Sequence, residues 1–331
     1  MDPSGLNDAF NRTVNYMRIS VTDRCNMRCL YCMPEEGVPW ISHGDILSYE
    51  EIARVVSATA ALGMRRLRVT GGEPLVRRDL SHLIAMLAAV PGIEDLALST
   101  NAVLLAEHAR ALAAAGLRRV NVSLDSLTPD RFVRIARRDY LERALAGIAA
   151  AEAAGLTPIK INCVAMRGYN DNELADMAAL TIAHEYHVRF IEIMPLHGNA
   201  EWQADWFMPT AEILDRVRVL GEPEPCAGPN GNGPARYWRL PGARGTVGVI
   251  SPMTHTYCAS CNRVRLTADG QLRLCLFGDH QIDLRTPLRQ GASVEEIADL
   301  FREAILRKPE RHHLGLGQTC SSLHALSQIG G

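Results

Sequence analysis

The sequence predicts an α/β fold with a parallel sheet, and three observations carry that prediction. Short apolar runs alternate with amphipathic helical stretches from Met17 to about Met194. Glycines at positions 63, 116 and 155 stand where helices should stop, as expected of the residue that most readily ends one. The residue types that carry chemistry (cysteines, a double glycine, hydroxyls) fall just after the strands, where α/β folds place their sites.

Taken in order, the first strand is Met17 to Val21. A capping box, Ser48-x-x-Glu51, opens a helix to about Leu62, and Arg66 to Thr70 is the second strand. The alternation continues as a helix over Leu80 to Ala89 and a strand over Asp95 to Ser99. A helix over Leu104 to Ala115 leads to the strand Arg119 to Ser123. The last two repeats pair Tyr140 to Ala154 with Ile159 to Val164, and Asn172 to about His184 with Arg189 to Met194. Such alternation implies right-handed crossovers. Six strands are too few for a closed eight-stranded barrel; an open partial barrel and a doubly wound sheet both fit.

The rhythm stops at Pro195. Pro223 to Pro234 reads as a surface loop, with short strands at Gly245 to Ile250, Arg263 to Thr267 and Leu272 to Cys275, and a helix from Val294 to about Arg307. A boundary near residues 195–205 divides the chain into 1–200 and 201–331.

Composition narrows the classes. A chain of 331 residues with 47% hydrophobic and 22% charged residues can bury a full core. A net charge of −2 argues against a dedicated nucleic-acid surface. No charged leader precedes an apolar core, and no apolar run is long enough to span a bilayer, so a cytoplasmic protein without membrane contact is expected. Nine cysteines, six of them in two triads, do not suit a secreted disulfide framework. Cys163, Cys226 and Cys320 read as plain thiols. Of 35 basic residues only Lys160 and Lys308 are lysine.

The first triad, Cys25-x3-Cys29-x2-Cys32, follows the first strand. Three clustered thiolates suit a soft metal centre. A structural zinc site closes with four ligands, and no fourth cysteine follows nearby. A four-iron cluster on three cysteines leaves one iron open to a non-protein ligand. Gly71-Gly72-Glu73-Pro74 follows the second strand; alone it is a strand-to-helix turn, yet its glycines also allow close backbone approach and Glu73 offers a partner for an ammonium. Ser99-Thr100-Asn101, Ser123-Leu124-Asp125 and Met194 end later strands. Arg18, Arg66, Arg68, Lys160 and Arg189 sit inside strands that should be apolar, with Leu67 and Val69 packing outward. Each needs an anionic partner, either a buried carboxylate or, if several converge, a polyphosphate. The second triad, Cys258-x2-Cys261-x13-Cys275, admits zinc with His255 or His280 as a fourth ligand, or a second iron–sulfur cluster flanked by Arg263 and Arg265.

The first triad, with Tyr31 before its last cysteine, resembles the signature of the radical S-adenosylmethionine superfamily. The stretches SVTDRCNMRCLYCMP, RVTGGEPLVRRDL, NVSLDSL, RFIEIMP, YCASCNRVRLTADGQLRLCLF and the terminal QIGG together resemble the GTP 3′,8-cyclase family within it. That resemblance implies an incomplete six-stranded (β/α)6, TIM-like barrel closed by a C-terminal α+β region. It implies two [4Fe-4S] clusters, on Cys25, Cys29 and Cys32 and on Cys258, Cys261 and Cys275. S-adenosyl-L-methionine would be held by the first cluster with Tyr31, Gly72, Glu73, Ser123 and Met194. GTP would meet Arg18, Arg66, Arg68, Ser99 and Lys160 from the barrel, and Arg263, Val264 and Arg265 beside the second cluster. Arg263, Arg265, Gly330 and Gly331 would serve catalysis, the Gly-Gly tail reaching into the site. The family's activity is the first step of molybdenum cofactor biosynthesis, in which a ribose 3′ hydrogen is removed and the carbon radical attacks C8 of guanine. Homodimers, an electron donor such as a flavodoxin or ferredoxin, and transfer of product to cyclic pyranopterin monophosphate synthase are further implications. Two departures from the family pattern are Ser99 in place of threonine and Ala102 in place of glycine, the latter expected to shift a turn. The competing readings are a peptide-modifying radical enzyme and a zinc-binding scaffold.

Overall fold

The structure is a computed structural model that describes residues 5–195, 204–229, 233–314 and 325–330. Six parallel strands form its centre: β1 (Tyr16–Ser20), β2 (Arg66–Thr70), β3 (Asp95–Thr100), β4 (Arg119–Ser123), β5 (Lys160–Ala165) and β6 (His187–Glu192). The helices between them are α1 (Tyr49–Ala61), α2 (Leu80–Ala88), α3 (Leu105–Ala114), α4 (Pro129–Ala136), α5 (Leu141–Ala153) and α6 (Leu174–Ala183). α1 starts where the sequence predicts. Glu51 N donates to Ser48 Oγ at 3.1 Å and Ser48 N to Glu51 Oε2 at 2.7 Å, a reciprocal cap of the kind that contributes about 1 kcal/mol. Gly63 ends it with a φ of 101°. α4 escaped the sequence reading because it is a single short run, started by Pro129, inserted before α5.

The later elements are α7 (Thr210–Val217), β7 (Glu224–Cys226), β8 (Arg236–Arg239), β9 (Thr246–Ile250), β10 (Arg263–Leu266), β11 (Gln271–Arg273), β12 (Gln281–Asp283), α8 (Arg285–Arg289) and α9 (Val294–Leu306). They do not form a sheet of their own. The strand order is β12-β11-β10-β1-β2-β3-β4-β5-β6-β9-β8-β7, one row that does not close on itself. β10 pairs parallel with β1, Met17 opposite Val264, and β9 pairs parallel with β6, Val188 opposite Val247. The C-terminal region therefore extends both edges of the partial barrel. Within the expected surface loop, β7 forms the sheet edge, the place where Pro225 costs no ladder bond.

Strand alternation sorts the side chains. Leu67 and Val69 are fully buried in one core with Ile19, Val247, Val264 and Phe301, so apolar packing is continuous through both halves of the chain. Arg66 and Arg68 point to the other face, into the barrel's interior. Ala102 adopts a left-handed backbone conformation in that turn, at a φ of 64°. The strain of about 1 kcal/mol is held in place by close packing; a Cβ on Gly147 would collide with the Ala102 carbonyl.

Candidate active site

The first triad lies on the irregular loop after β1. That loop is pinned by Arg28 N to Ala136 O and Leu30 N to Ile135 O, both at 3.0 Å, which uses the free carbonyls at the end of α4. Cys25, Cys29 and Cys32 border a cavity of about 110 Å³ together with Gly71, Gly72, Ser123 and Ser327. Burial pushes Cys25 up to about 11, helped by the charge of Glu73, and Cys32 up to about 12, helped by Cys25. Cys29 is raised well above its usual value by burial and by Asp125. Three buried thiols this reluctant to ionise become thiolates when a cationic centre binds among them. The donor set fits an iron–sulfur cluster.

The glycine turn is docked on that loop through backbone alone. Gly72 N donates to Thr22 O at 2.7 Å and Glu73 N to Arg24 O at 2.8 Å. A Cβ on Gly72 would overlap the Arg24 carbonyl group and stand 2.8 Å from Asp23 O. The Glu73 carboxylate is held by bonds of its own. It accepts from Thr100 Oγ1 at 2.7 Å, Asn101 N at 2.7 Å and Leu75 N at 3.1 Å. Those bonds tie the turn to the end of β3, with Oε2 taking a single donor among the described residues and Glu73 lining the first-triad cavity. Burial raises Glu73 to about 7 despite those donors. Tyr31 Oη donates to Asp125 Oδ2 at 2.8 Å, so the aromatic residue of the triad is anchored to the end of β4.

Beside this lies a cavity of about 180 Å³ bordered by Arg18, Arg68, Arg189, Arg263 and Arg265 along with Tyr31, Ser99, Ser123 and Met194. A neighbouring cavity of about 160 Å³ shares Arg68 and Arg189 and adds Arg66, Arg119 and Lys160. Register explains the convergence. Arg265, Arg18 and Arg68 are direct partners across β10, β1 and β2, and Arg263, Tyr16 and Arg66 form the parallel row two residues earlier. Neighbouring strands are about 4.8 Å apart, so the like charges of one row disfavour one another. Burial, then Arg265, carries Arg18 well below its usual value; burial carries Arg68 and Arg265 each down to about 10. Lys160 is pushed down to about 6 by burial and by Arg119, Arg189 and Arg68. The carboxylate alternative holds for Arg119, whose Nε meets Asp95 Oδ1 at 2.9 Å. Elsewhere in the chamber, Nε of Arg18, Arg68, Arg189 and Arg263, and Ser99 Oγ, are buried without a hydrogen-bond partner among the described residues. Such a chamber suits a polyanion.

The second triad borders a third cavity of about 70 Å³ with Arg263, Phe277 and His312. Neither His255 nor His280, the histidines considered for zinc, borders it. Val264 packs its side chain into the core. Burial raises Cys258; burial would also raise Cys261, but Lys308 and Arg263 bring that thiol below its usual value. Lys308 and Arg12, which donates to Cys258 O at 2.8 Å, belong to this site and were missed in the sequence because neither is near a cysteine in the chain.

The tail enters between the two triads. Leu326 borders both the first-triad cavity and the arginine chamber, the Ser327 backbone hydrogen-bonds the Cys32 sulfur, and Arg265 Nη1 donates to the Gly330 carbonyl. Gly330 has a φ of 75° and a Cβ there would stand 2.6 Å from Thr70 Oγ1. Gly331 and Cys320 lie outside the described residues.

A parallel α/β sheet carrying a cysteine triad after its first strand and a glycine turn docked on that triad defines a radical S-adenosylmethionine protein. Residues 19–181 match the Radical SAM superfamily and residues 186–314 match Molybdenum Cofactor Synthesis C. SuiB of Streptococcus suis bound to S-adenosylmethionine shares the fold, with a TM-score of 0.62 over 93% of this chain and 77% of that one at 12% identity. The chain is 50% identical to the GTP 3′,8-cyclase of Pelotomaculum thermopropionicum, covering 98% of this chain and 100% of that protein. It is 48% identical to that of Moorella thermoacetica, again over 98% and 100%. The chain belongs to the GTP 3′,8-cyclase family.

Proposed function

We propose that this protein converts GTP to (8S)-3′,8-cyclo-7,8-dihydroguanosine 5′-triphosphate, the first step of molybdenum cofactor biosynthesis. The observation that carries the reading is one arginine-walled chamber that shares Tyr31, Ser99 and Ser123 with the first-triad cavity and Arg263 and Arg265 with the second-triad cavity. Cys25, Cys29 and Cys32 would hold one [4Fe-4S] cluster, with Gly72, Glu73, Ser123, Tyr31 and Met194 around S-adenosylmethionine. Cys258, Cys261 and Cys275 would hold the other. When bound, the first cluster and S-adenosylmethionine supply a carbon-centred radical able to remove hydrogen from a ribose. The chain's own residues bind, orient and shield. Arg18, Arg66, Arg68 and Lys160, with Ser99, take the triphosphate and fix the ribose relative to the first cavity. Arg263 and Arg265, with the Val264 backbone, place the base beside the second. The Gly330 carbonyl on Arg265 fixes that guanidinium, and Gly331 completes the tail.

Residues 1–200 are read as the partial barrel that binds S-adenosylmethionine, and 201–331 as the unit that brings the second cluster and the tail. A homodimer, a flavodoxin or ferredoxin as electron donor, delivery to cyclic pyranopterin monophosphate synthase and a cytoplasmic site of action belong to the same proposal. Among the described residues no helix is long and apolar enough to cross a membrane. The test is an anaerobic reaction of iron- and sulfide-reconstituted protein with S-adenosylmethionine, reductant and GTP, read by mass spectrometry. The expected result is 5′-deoxyadenosine, formed only with GTP, and a product isomeric with GTP. If 5′-deoxyadenosine forms while GTP stays intact, the substrate assignment fails.

A further inference from the structure

α9 ends at Leu306, and two residues later Lys308 folds back into the protein with 3% of its surface exposed. Its Nζ donates to the Arg263 carbonyl at 2.9 Å and the Leu274 carbonyl at 2.6 Å, and its charge acts on the neighbouring Cys261 thiol. An ammonium has three N–H donors, and the two carbonyls take two of them, with Cys261 beside the third. They are also not scattered. Cys261 is a member of the second triad, Arg263 begins the strand that follows it, and Leu274 immediately precedes Cys275. None of the three is a carboxylate, and a buried ammonium is costly unless something anionic stands beside it. The segment that carries Lys308 is fastened from its far side as well. Arg12 donates to the carbonyls of Pro309 at 2.7 Å, Glu310 at 2.6 Å and Cys258 at 2.8 Å.

Resting on the reading of the second triad as a cluster site, we infer that Lys308 is its positioning residue. Its hydrogen bonds hold the Cys261–Arg263 and Leu274–Cys275 segments at one spacing, and its fixed positive charge beside the Cys261 sulfur raises the reduction potential of the cluster. Hydrogen bonds to cluster sulfurs and nearby charge are established determinants of such potentials. The same contact sets where Arg263, first in its row of the chamber, leaves the backbone.

The test uses the full chain with Cys25→Ala, Cys29→Ala and Cys32→Ala, so that only the second triad can hold a cluster. Iron and sulfide content, the electron paramagnetic resonance of the reduced protein and its midpoint potential are measured with Lys308, Lys308→Met and Lys308→Arg. The expected result is a lower midpoint in Lys308→Met with the cluster retained, and a return toward the parent value in Lys308→Arg. A midpoint and spectrum unchanged in Lys308→Met overturn the inference. Lys308→Gln, which keeps an N–H donor without the charge, carries the same comparison if Lys308→Met does not fold. Zinc without sulfide in the Lys308 parent overturns the cluster reading itself, and this inference with it.

Discussion

Binding of GTP should carry a proton into the site, and Lys160 is where it goes. Lys160 stands at the start of β5 among Arg68, Arg119 and Arg189, and burial with those charges pushes its ammonium down to about 6. At pH 8 only about one Lys160 in a hundred then holds its proton in the ligand-free protein. A triphosphate beside it favours the charged form, so the complex takes up about one proton, and the GTP Kd rises roughly tenfold per pH unit between about pH 7 and pH 9. Titration calorimetry at pH 8 in buffers of different ionisation enthalpy reads that proton directly, because the γ-phosphate, with a second ionisation near about pH 6, is already charged. Lys160→Met should abolish the buffer dependence and, at about pH 6.5, weaken binding by about 2 kcal/mol, the worth of a charge-assisted hydrogen bond. The sign for folding follows from the same depression. The unfolded chain keeps this proton up to about pH 10 while the folded one loses it above about 6, so the ligand-free protein gains stability from Lys160 deprotonation as pH rises through that window. Identical apparent enthalpies in all buffers for the parent protein would refute the reasoning.

Three further outcomes are expected. Gly72→Ala should destabilise the protein by about 3 kcal/mol and abolish S-adenosylmethionine binding, since the new Cβ meets only the backbone of Asp23 and Arg24; unchanged unfolding and affinity would contradict this. Cys25→Ala should eliminate cleavage of S-adenosylmethionine, whereas Cys275→Ala should keep some cleavage and lose cyclisation, both read from products by mass spectrometry. A chain ending before Gly330 should unfold at nearly the parent temperature yet cyclise GTP poorly, because Arg265 loses its carbonyl partner; parent-like turnover would remove the tail from the mechanism.

The βα core and both triads are legible in the chain because their signals are local. A 3.6-residue period, a capping serine or a C-x2-C spacing is complete within a few residues. Arg66 and Arg68 could be assigned to the interior for the same reason, since alternation along β2 needs only Leu67 and Val69 as reference. The hydrogen bonds that hold Glu73 were not legible because their donors, Thr100 and Asn101, come from the next strand. α4, β7, β8 and β12 were missed since segments of three to eight residues carry too little periodicity to separate from loop.

By itself, then, the sequence determined the class of fold, the two cysteine triads and the basic residues that wall the chamber, all properties of short windows. Tertiary structure alone decided that β9 and β10 join opposite edges of the same sheet, because parallel pairing links residues far apart in the chain. It alone brought Lys308 and Arg12 to the second triad and Gly330 to Arg265. Those are long-range contacts, and their energies exist only once the core that spans both halves has closed.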